Sequence, residues 1–412
     1  MPSVQAIFND YKSKIAEVYH IHGFQNIETP TIDRNEILFA KAGGDTEKQI
    51  YRVIKTDESA EDSSQSLRFD HTVPLARYIV EHESELAFPF RVSQIGRNFR
   101  GERAQKGRFR EFYQCDADII GRNELPIEYD AQVVFVFYEA AKSFVKAPLK
   151  IRLNNRKFLS GVLGSLGLAS HSASIYNIID HAEKVPEETT IAELKELGLS
   201  DEDVVKITTL INTHGKIEDV VALDFIEDDT PGLDELAAVM NELKALGLPE
   251  TDYEIDLKIV RGLDYYTGTV FETILPDYPE VGSIGGGGRY DNLASNFTDQ
   301  KFPGVGASIG LSRLFYILNE NNLLDEVISA PIDIALMPIS PLEKTACYSL
   351  AKNLRKKGLS VDVILSGKKL GDMMRHASRI AKSGIVVGEN EVKTGEYIVK
   401  DFATGESRPL SI

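Results

Sequence analysis

Residues 90–121, FRVSQIGRNFRGERAQKGRFREFYQCDADIIG, limit the fold more than any other stretch. Two strand-like arms, RVSQIGRNFR and FREFYQCDADI, flank the loop GERAQKG, which is tipped with glycine and basic residues. Parallel strands need a crossover of a dozen or more residues, and this loop is too short for one. The arms therefore predict a long antiparallel hairpin. Further short apolar runs, LRFDHTVPLARYI before it and KIRLNNRKFL after it, alternate with helical stretches such as DAQVVFVFYEAAKSF. That mixture predicts an α+β architecture, an antiparallel sheet flanked by helices.

Val4, Ile7, Phe8, Tyr11, Ile15, Val18 and Tyr19 keep helical spacing, which predicts an amphipathic helix over 3–22 with its stop at Gly23. GFQNIETPTID follows as strand broken at Pro30, which suits a sheet edge or an interface. Residues 165–250 are acidic and helix-forming, as in TIAELKELGLSDEDVVKITTLI, and read as a helical insertion. Strand patterning resumes over 253–311. From 332 onwards strands and helices alternate up to the hairpin YIVKDFATGESRPL, so the C-terminal part is a separate small α/β domain. Four segments result: 1–164 and 251–328 as two parts of one core, 165–250 as the insertion, and 329–412 as the C-terminal domain.

No apolar run reaches the 18 to 20 residues that a membrane span needs. The N-terminus reads as a helix and not as a signal or transit sequence. Cys115 and Cys347 are the only cysteines, which excludes a disulfide framework and a cysteine metal site and points to a reducing cytosol. A net charge of −17 argues at first sight against a nucleic-acid partner. The charge is uneven, however. Residues 90–122 carry eight Arg/Lys against four acids and residues 330–412 carry 13 against 9, whereas 180–256 carry 5 against 22. Two basic islands in an acidic chain say more about partners than the total does.

The hairpin puts Arg100 at the end of one arm and Arg108 at the start of the other, a cradle for a polyanion, because the planar guanidinium bonds phosphate oxygens bidentately. On the second arm Gln114, Asp116 and Asp118 share a face by period two and form a pocket floor, with Cys115 pointing away into the core. GGGGRYD at 285–291 lets the backbone bend or approach a ligand closely before Arg289 and Tyr290, and matches neither the Walker loop nor the dinucleotide fingerprint. GVGASIGLSRLFYIL sets Arg313 near a helix start, where the dipole also favours anions. In LRFDHTVPLARYI, Asp70 either holds a ligand amine or caps the helix running on from Pro74. RGLDYYTGTVFE at 261–272 crowds Arg261, Asp264, Tyr265 and Tyr266 at the mouth of a strand. The sequence shows no Ser-His-Asp, Cys-His or metal-ligand cluster. The candidate chemistry is phosphoryl or nucleotidyl transfer, where positioning and charge stabilisation supply most of the rate.

Taken in order, these motifs resemble histidyl-tRNA synthetase, a class II aminoacyl-tRNA synthetase. GFQNIETPTID resembles the first class II motif, FRGERAQKGRFREFYQCD the second and GVGASIGLSRLF the third. RGLDYYTGTVFE and GGGGRYD resemble the two signatures peculiar to the histidine enzyme. LNNRKFLSGVL and the C-terminal KKLGDMMRHASRIAKSGIVVGENEVKTGEYIVKDFATGE also fit, so the resemblance covers nearly the whole chain apart from 165–250. It implies a class II antiparallel core, a cytoplasmic homodimer, and a C-terminal anticodon reader. The implied reaction activates L-histidine with ATP, accompanied by Mg2+, to histidyl-adenylate and pyrophosphate, then passes histidine to the 3′ end of tRNA-His.

Site residues follow from the same resemblance. Arg261, Arg100 and Arg313 are implied as catalytic, with Arg261 reaching the α-phosphate and the substrate carboxylate. Asp70 and Thr72 match the positions that hold the histidine α-amino group, with His71 between them also at the histidine site. Gln114 matches a substrate contact and Asp118 the acceptor for an imidazole N–H. Tyr265 and Tyr266 line the imidazole pocket, and Tyr290, Arg100 and Arg261 also fall at the histidine site. Arg100, Glu102, Arg108 and Arg313 fall at the nucleotide, and Arg103 at the tRNA acceptor end. Ser312 stands where many relatives carry glutamate, and Asp70 and Asp118 where a large branch does. The alternative is the non-catalytic, histidine-sensing paralogue that regulates ATP phosphoribosyltransferase. That relative typically lacks the C-terminal domain and has an eroded RGLDYY signature, both of which are intact here.

Overall fold

The computed structural model describes residues 2–39, 47–57, 59, 63–103, 106–183, 185–260, 266–325, 332–365 and 369–410. Two compact units divide the chain: residues 11–323, and residues 324–412 grouped with 1–10. Arg261 and Tyr265 lie outside the described residues.

The first helix, Pro2–Ile21, follows the predicted periodicity: Tyr11, Ile15 and Tyr19, four apart, are all buried. Gly23, with φ of +79°, ends it in the left-handed region that glycine enters without strain. Strand β1 (Gln25–Asn26) precedes three short strands, β2 (Ile32–Arg34), β3 (Arg52–Val53) and β4 (Gln65–Leu67), which form a small sheet in the order β2-β4-β3. The predicted hairpin is β5 (Phe90–Phe99) and β6 (Glu111–Ile120), paired antiparallel along its whole length from Phe90–Ile120 to Phe99–Glu111. The remaining strands of this unit are β7 (Lys150–Asn155), β8 (His214–Gly215), β9 (Tyr253–Asp256), β10 (Thr269–Ile274), β11 (Gly285–Tyr290) and β12 (Gly304–Ile309). Among the described residues they form a nine-stranded sheet in the order β1-β5-β6-β12-β11-β10-β7-β9-β8. Pairing is antiparallel from β5 through to β7, and parallel where β1 joins β5 and β9 joins β7.

Two sequence expectations shift at element boundaries. KIRLNNRKFL is strand only to Asn155. There the side chain accepts the N–H groups of Lys157 and Phe158 at 2.8 and 3.3 Å and caps the helix Arg156–Ser165. LRFDHTVPLARYI is strand only in its first residue; the helix Thr72–Glu81 begins ahead of Pro74, which sits in the first turn where a missing N–H costs nothing.

The helix Glu128–Lys142 backs the sheet with Val133, Val136, Phe137 and Ala140 buried, and Phe137 meets Phe271 of β10 edge-on at 5.5 Å. Its Asp130, wholly buried, receives Arg289 of β11: Nη2 lies 2.7 Å from Oδ1 and Nε 3.1 Å from both oxygens. Because side chains alternate along a strand, Arg289 points to the helix and its neighbour Tyr290 to the opposite face. The insertion forms the helices Ser172–His181, Glu187–Glu196, Asp201–Asn212 and Leu233–Ala245 around Ile175, Ile179, Leu194, Ile207 and Leu236. The two-residue β8 in this acidic stretch carries no strand signal of its own and adds to the sheet edge beside β9.

In the C-terminal unit β13 (Ile332–Pro338), β14 (Val361–Val363), β15 (Ala381–Val387), β16 (Ile398–Asp401) and β17 (Ser407–Pro409) run in the order β14-β13-β15-β16-β17. Ile334 and Leu336 pack with Cys347, Leu350 and Leu354 of the helix Lys344–Lys356. Ala335 and Met337 pack with Met373 and Ala377 of the helix Leu370–Ile380. The alternation along β13 thus buries both faces, as in α/β domains. The helix Leu370–Ile380 stops there because Ala381 already pairs with Ile332 in the β13–β15 ladder.

The buried pair between sheet and helix gives a stability prediction. Asp130→Ala leaves the Arg289 guanidinium buried without its carboxylate and lowers the unfolding free energy by about 3–5 kcal/mol. Urea denaturation checks this; a change below about 1 kcal/mol would show that Arg289 finds compensation elsewhere.

Candidate active site

The floor of the site is one face of β6. Gln114, Asp116 and Asp118 point to it while Cys115 and Ala117 are buried on the other side, as the period of two predicts. The neighbouring strand β12 sets Gly306 beside Asp118 and Ser308 beside Asp116. A Cβ at Gly306 would overlap Asp118 Oδ1, so glycine is what leaves room for this carboxylate. Tyr290 donates its hydroxyl to the same Oδ1 at 2.7 Å. Ser308 Oγ donates to Asp116 Oδ1 at 2.6 Å, and His71 Nδ1 lies 3.0 Å from Asp116 Oδ2. Gln114 Nε2 donates to Ser308 Oγ, and Asn98 Nδ2 to Gln114 Oε1, both at 2.7 Å.

Asp70 enters from the turn before the helix Thr72–Glu81. Its Oδ1 accepts the Val73 N–H at 3.0 Å, which is the capping role; its Oδ2 is buried with no hydrogen-bond partner among the described residues. Burial pushes the Asp70 carboxyl up to about 6, against the pull of the Val73 N–H and of Arg100. Burial, reinforced by the charges of Asp116 and Asp70, pushes Asp118 up to about 8, and the Tyr290 hydroxyl opposes this only in part. Arg100 donates from Nε to the Phe69 carbonyl at 3.1 Å, with its guanidinium over the Phe112 ring at 5.2 Å.

Two cavities open beside this floor. One of about 240 Å3 is walled by Arg100, Glu102, Arg108, Phe112, Gln114 and Arg313. The other, of about 320 Å3, is walled by Gln114, Tyr266, Phe271, Glu272, Ser308 and Arg313. Gln114 and Arg313 belong to both. Arg313 sits in the first turn of the helix Leu311–Glu320, as the sequence indicates, and donates from Nη2 to the Val281 carbonyl at 2.6 Å. Its neighbour Ser312 accepts the Tyr113 N–H at 2.8 Å, tying the helix start to β6. Arg108 pairs with Glu102 at 3.2 Å.

The structure brings Asp70, Asp118 and Tyr290 together, and gathers Arg100, Glu102, Arg108 and Arg313 around one cavity. Thr72 opens the helix two residues from Asp70, Tyr266 lies on the wall of the larger cavity, and Arg103 is exposed at the hairpin loop. His71 is wholly buried against Asp116 instead of facing either cavity. Asn98 and Ser308 were missed; each lies two residues from a small residue that opens the same face, Gly96 and Gly306, and that spacing is the signal that finds them.

The carboxylates carry a pH prediction. Asp118 titrates near 8 when folded but near 3.9 when unfolded, so the folded chain holds the extra proton throughout the window between them. Stability contributed by that proton is complete below the lower value and is lost as pH rises through the upper one. Asp118→Asn therefore flattens the fall in Tm between pH 6 and 8 and raises Tm of the ligand-free protein at pH 8 by a few degrees. Calorimetry across that range reads it directly, and an unchanged slope would overturn the assignment.

Residues 2–314 match the family model of histidyl-tRNA synthetase, and residues 333–412 that of an anticodon binding domain. The histidine--tRNA ligase of Clostridium tetani is 44% identical over 421 residues, covering 100% of this chain and 94% of the relative. That of Stenotrophomonas maltophilia is 39% identical, covering 98% and 91%. The crystal structure of histidyl-tRNA synthetase from Nostoc sp. PCC 7120 superposes with a TM-score of 0.89 at 34% identity, over 100% of this chain and 94% of that one. A Bacillus halodurans structure described as an ATP phosphoribosyltransferase regulatory subunit/histidyl-tRNA synthetase shares the fold, with a TM-score of 0.76 at 21% identity over 93% and 94%. On full-length relatives and on both family matches, the chain belongs to the histidyl-tRNA synthetase family.

Proposed function

We propose that the buried carboxylate floor holds L-histidine and the arginine-walled cavity holds ATP, so that the two meet at Gln114 and Arg313. The overall activity is that of the family: an ATP-dependent histidine–tRNA ligase, a reading favoured over the regulatory paralogue by full-length ligase relatives. The single observation that carries the division of labour is the contrast between the two sides of Gln114. Along β6 from Gln114 lie the buried acids Asp116 and Asp118, with Asp70 near them, whereas Arg100, Arg108 and Arg313 wall the smaller cavity.

Histidine brings the donors that the floor lacks. Its α-ammonium fits Asp70, whose Oδ2 has no partner among the described residues, beside Thr72. Its imidazole N–H fits Asp118, which Tyr290 orients, with Tyr266 and, outside the described residues, Tyr265 as ring walls. An analogue without that N–H leaves a buried carboxylate unpaired, so selectivity does not depend on size. Gln114 and Arg100 position the substrate carboxylate for in-line attack on the α-phosphorus. A new carboxyl O–P bond forms, the bond to the β-phosphate bridging oxygen breaks, and pyrophosphate leaves. Arg100, Arg313 and, by the motif it occupies, Arg261 stabilise the charge that develops on the phosphorus oxygens. Glu102 and Arg108 flank the nucleotide.

Magnesium accompanies the ATP phosphates. Among the described residues no group of three acidic, histidine or cysteine side chains could hold an ion. The ion neutralises phosphate charge when bound. The acyl group then passes to the terminal adenosine of tRNA-His. The exposed Arg103 meets the acceptor end, and the C-terminal unit reads the anticodon. The enzyme works as a cytoplasmic homodimer; among the described residues no helix is long and apolar enough to cross a membrane.

Exchange of labelled pyrophosphate into ATP tests the first step. Wild type exchanges with histidine and with no other amino acid. Arg313→Ala and Arg261→Ala each reduce exchange roughly a hundred- to a thousandfold, the effect of removing one preorganised charge-stabilising donor. Folded protein that binds histidine yet exchanges with no amino acid would sink the ligase assignment.

A further inference from the structure

His71 is wholly buried, yet it is a polar side chain where an apolar one of similar size would avoid the cost of desolvation. Its Nε2 is buried with no hydrogen-bond partner among the described residues. Only Nδ1 is engaged, at 3.0 Å from Asp116 Oδ2. The backbone that carries the ring is held by Gln94. Gln94 Nε2 donates to the His71 carbonyl at 3.2 Å while Gln94 Oε1 accepts from Thr29. Gly96 leaves the space beside it, since a Cβ there would come within 3.1 Å of His71 Nε2 and 2.7 Å of Arg68 Nη2.

The direction of donation along the chain of contacts is fixed. Asn98 gives an N–H to Gln114 Oε1, which sends the Gln114 amide nitrogen towards Ser308. Ser308 has one hydrogen, and it goes to Asp116 Oδ1. If Asp116 were not an acceptor, the hydroxyl would be free to turn and donate to Gln114, and the amide would no longer have one preferred orientation. Asp116 is crowded by Asp70 and Asp118, both of which feel its charge. A charge-assisted bond from His71 is what opposes that crowding on its far oxygen.

We propose that His71 is a positioning residue for histidine recognition, acting through Asp116 and Ser308 to fix which way the Gln114 amide faces. His71 itself touches no substrate. The inference rests on the reading above that Gln114 contacts histidine. It links four segments of the chain, the turn before the helix Thr72–Glu81 and strands β5, β6 and β12, into one device whose output is a single side-chain orientation.

The test measures KM for histidine, KM for ATP and kcat in pyrophosphate exchange for His71→Leu, His71→Asn, Ser308→Ala and Gln114→Ala. His71→Leu raises KM for histidine about ten- to a hundredfold, the range of a buried charge-assisted hydrogen bond, and leaves KM for ATP within about twofold. His71→Asn, whose amide N–H reaches towards Asp116, recovers most of the loss. Adding Asp116→Asn to His71→Leu removes the uncompensated charge, so the double variant is less impaired than the two single losses combined. If His71→Leu does not fold, Ser308→Ala decides, because it breaks the same relay with little change of volume; an unchanged KM for histidine there overturns the proposal. An unchanged KM in folded His71→Leu, with Gln114→Ala impaired, overturns the relay and leaves the Gln114 assignment standing. An unimpaired Gln114→Ala removes that assignment and the relay with it. Parallel losses in kcat and both KM values, with a lowered Tm and no rescue by asparagine, mark a merely structural histidine and overturn the proposal.

Discussion

Asp118 buries a carboxylate on the face of a sheet that also buries Asp116, with Asp70 buried near both, and burial together with the charge of Asp116 raises the proton affinity of Asp118 and Asp70. Low dielectric makes the conflict larger than it would be at a surface. The surroundings answer it piece by piece. Tyr290 donates to Asp118, Ser308 and His71 to Asp116, the Val73 N–H to Asp70, and Arg100 lies close enough to Asp70 to favour its charge. What stays incomplete among the described residues is a donor for Asp70 Oδ2, and the proposed histidine ligand brings one. On the proposed reading, the same arrangement that destabilises the ligand-free fold at high pH is the source of the pocket's selectivity.

That floor exists because the sheet is built to make room for it. The β5–β6 hairpin is long and regular, so residues two apart stay on one face over ten positions. Beside it, β12 and β11 carry glycine at the positions that would otherwise fill the pocket, Gly306 against Asp118 being the clearest. Glycine strands are weak on their own account. The helix Glu128–Lys142 compensates from behind with an apolar face and the Asp130–Arg289 pair, which fixes β11 from the side opposite the substrate.

Much of this was legible in the sequence for a simple reason: the period of two is local. GERAQKG between two strand-like arms gave the hairpin, and spacing alone put Gln114, Asp116 and Asp118 on one face. The helix start under Arg313 was legible from GLSRL in the same way. What was not legible is what depends on partners far apart in the chain. His71 meets Asp116 across 45 positions, Ser308 meets Asp116 across 192 and Gln114 across 194, and no local pattern encodes those meetings. Arg289 and Tyr290 are both buried, and only their partners, Asp130 of the helix and Asp118 of β6, show which face each one takes. The two residues of β8 are too few to carry a pattern at all, and only the edge of β9 makes them a strand.

The two sides of Gln114 solve different problems with different physics. On the proposed reading histidine lies on the side built from the buried acceptors Asp70 and Asp118, which penalise a wrong ligand by leaving it unpaired. On the same reading ATP is held through its phosphates, whose charge any guanidinium can meet, and its products must leave. Arg108 accordingly has a side chain 45% exposed and held by Glu102, where solvent keeps the pair weak and exchangeable. Gln114 stands at the boundary, on the wall of both cavities, and an amide is the one group there that can face either a donor or an acceptor. A group with that ambiguity transmits geometry only if something fixes its orientation. Asn98 and Ser308 do so from the two sides, and the direction of the Ser308 hydroxyl is set in turn by Asp116. The orientation of Gln114 thus traces back through Ser308 to Asp116 and His71, which line neither cavity.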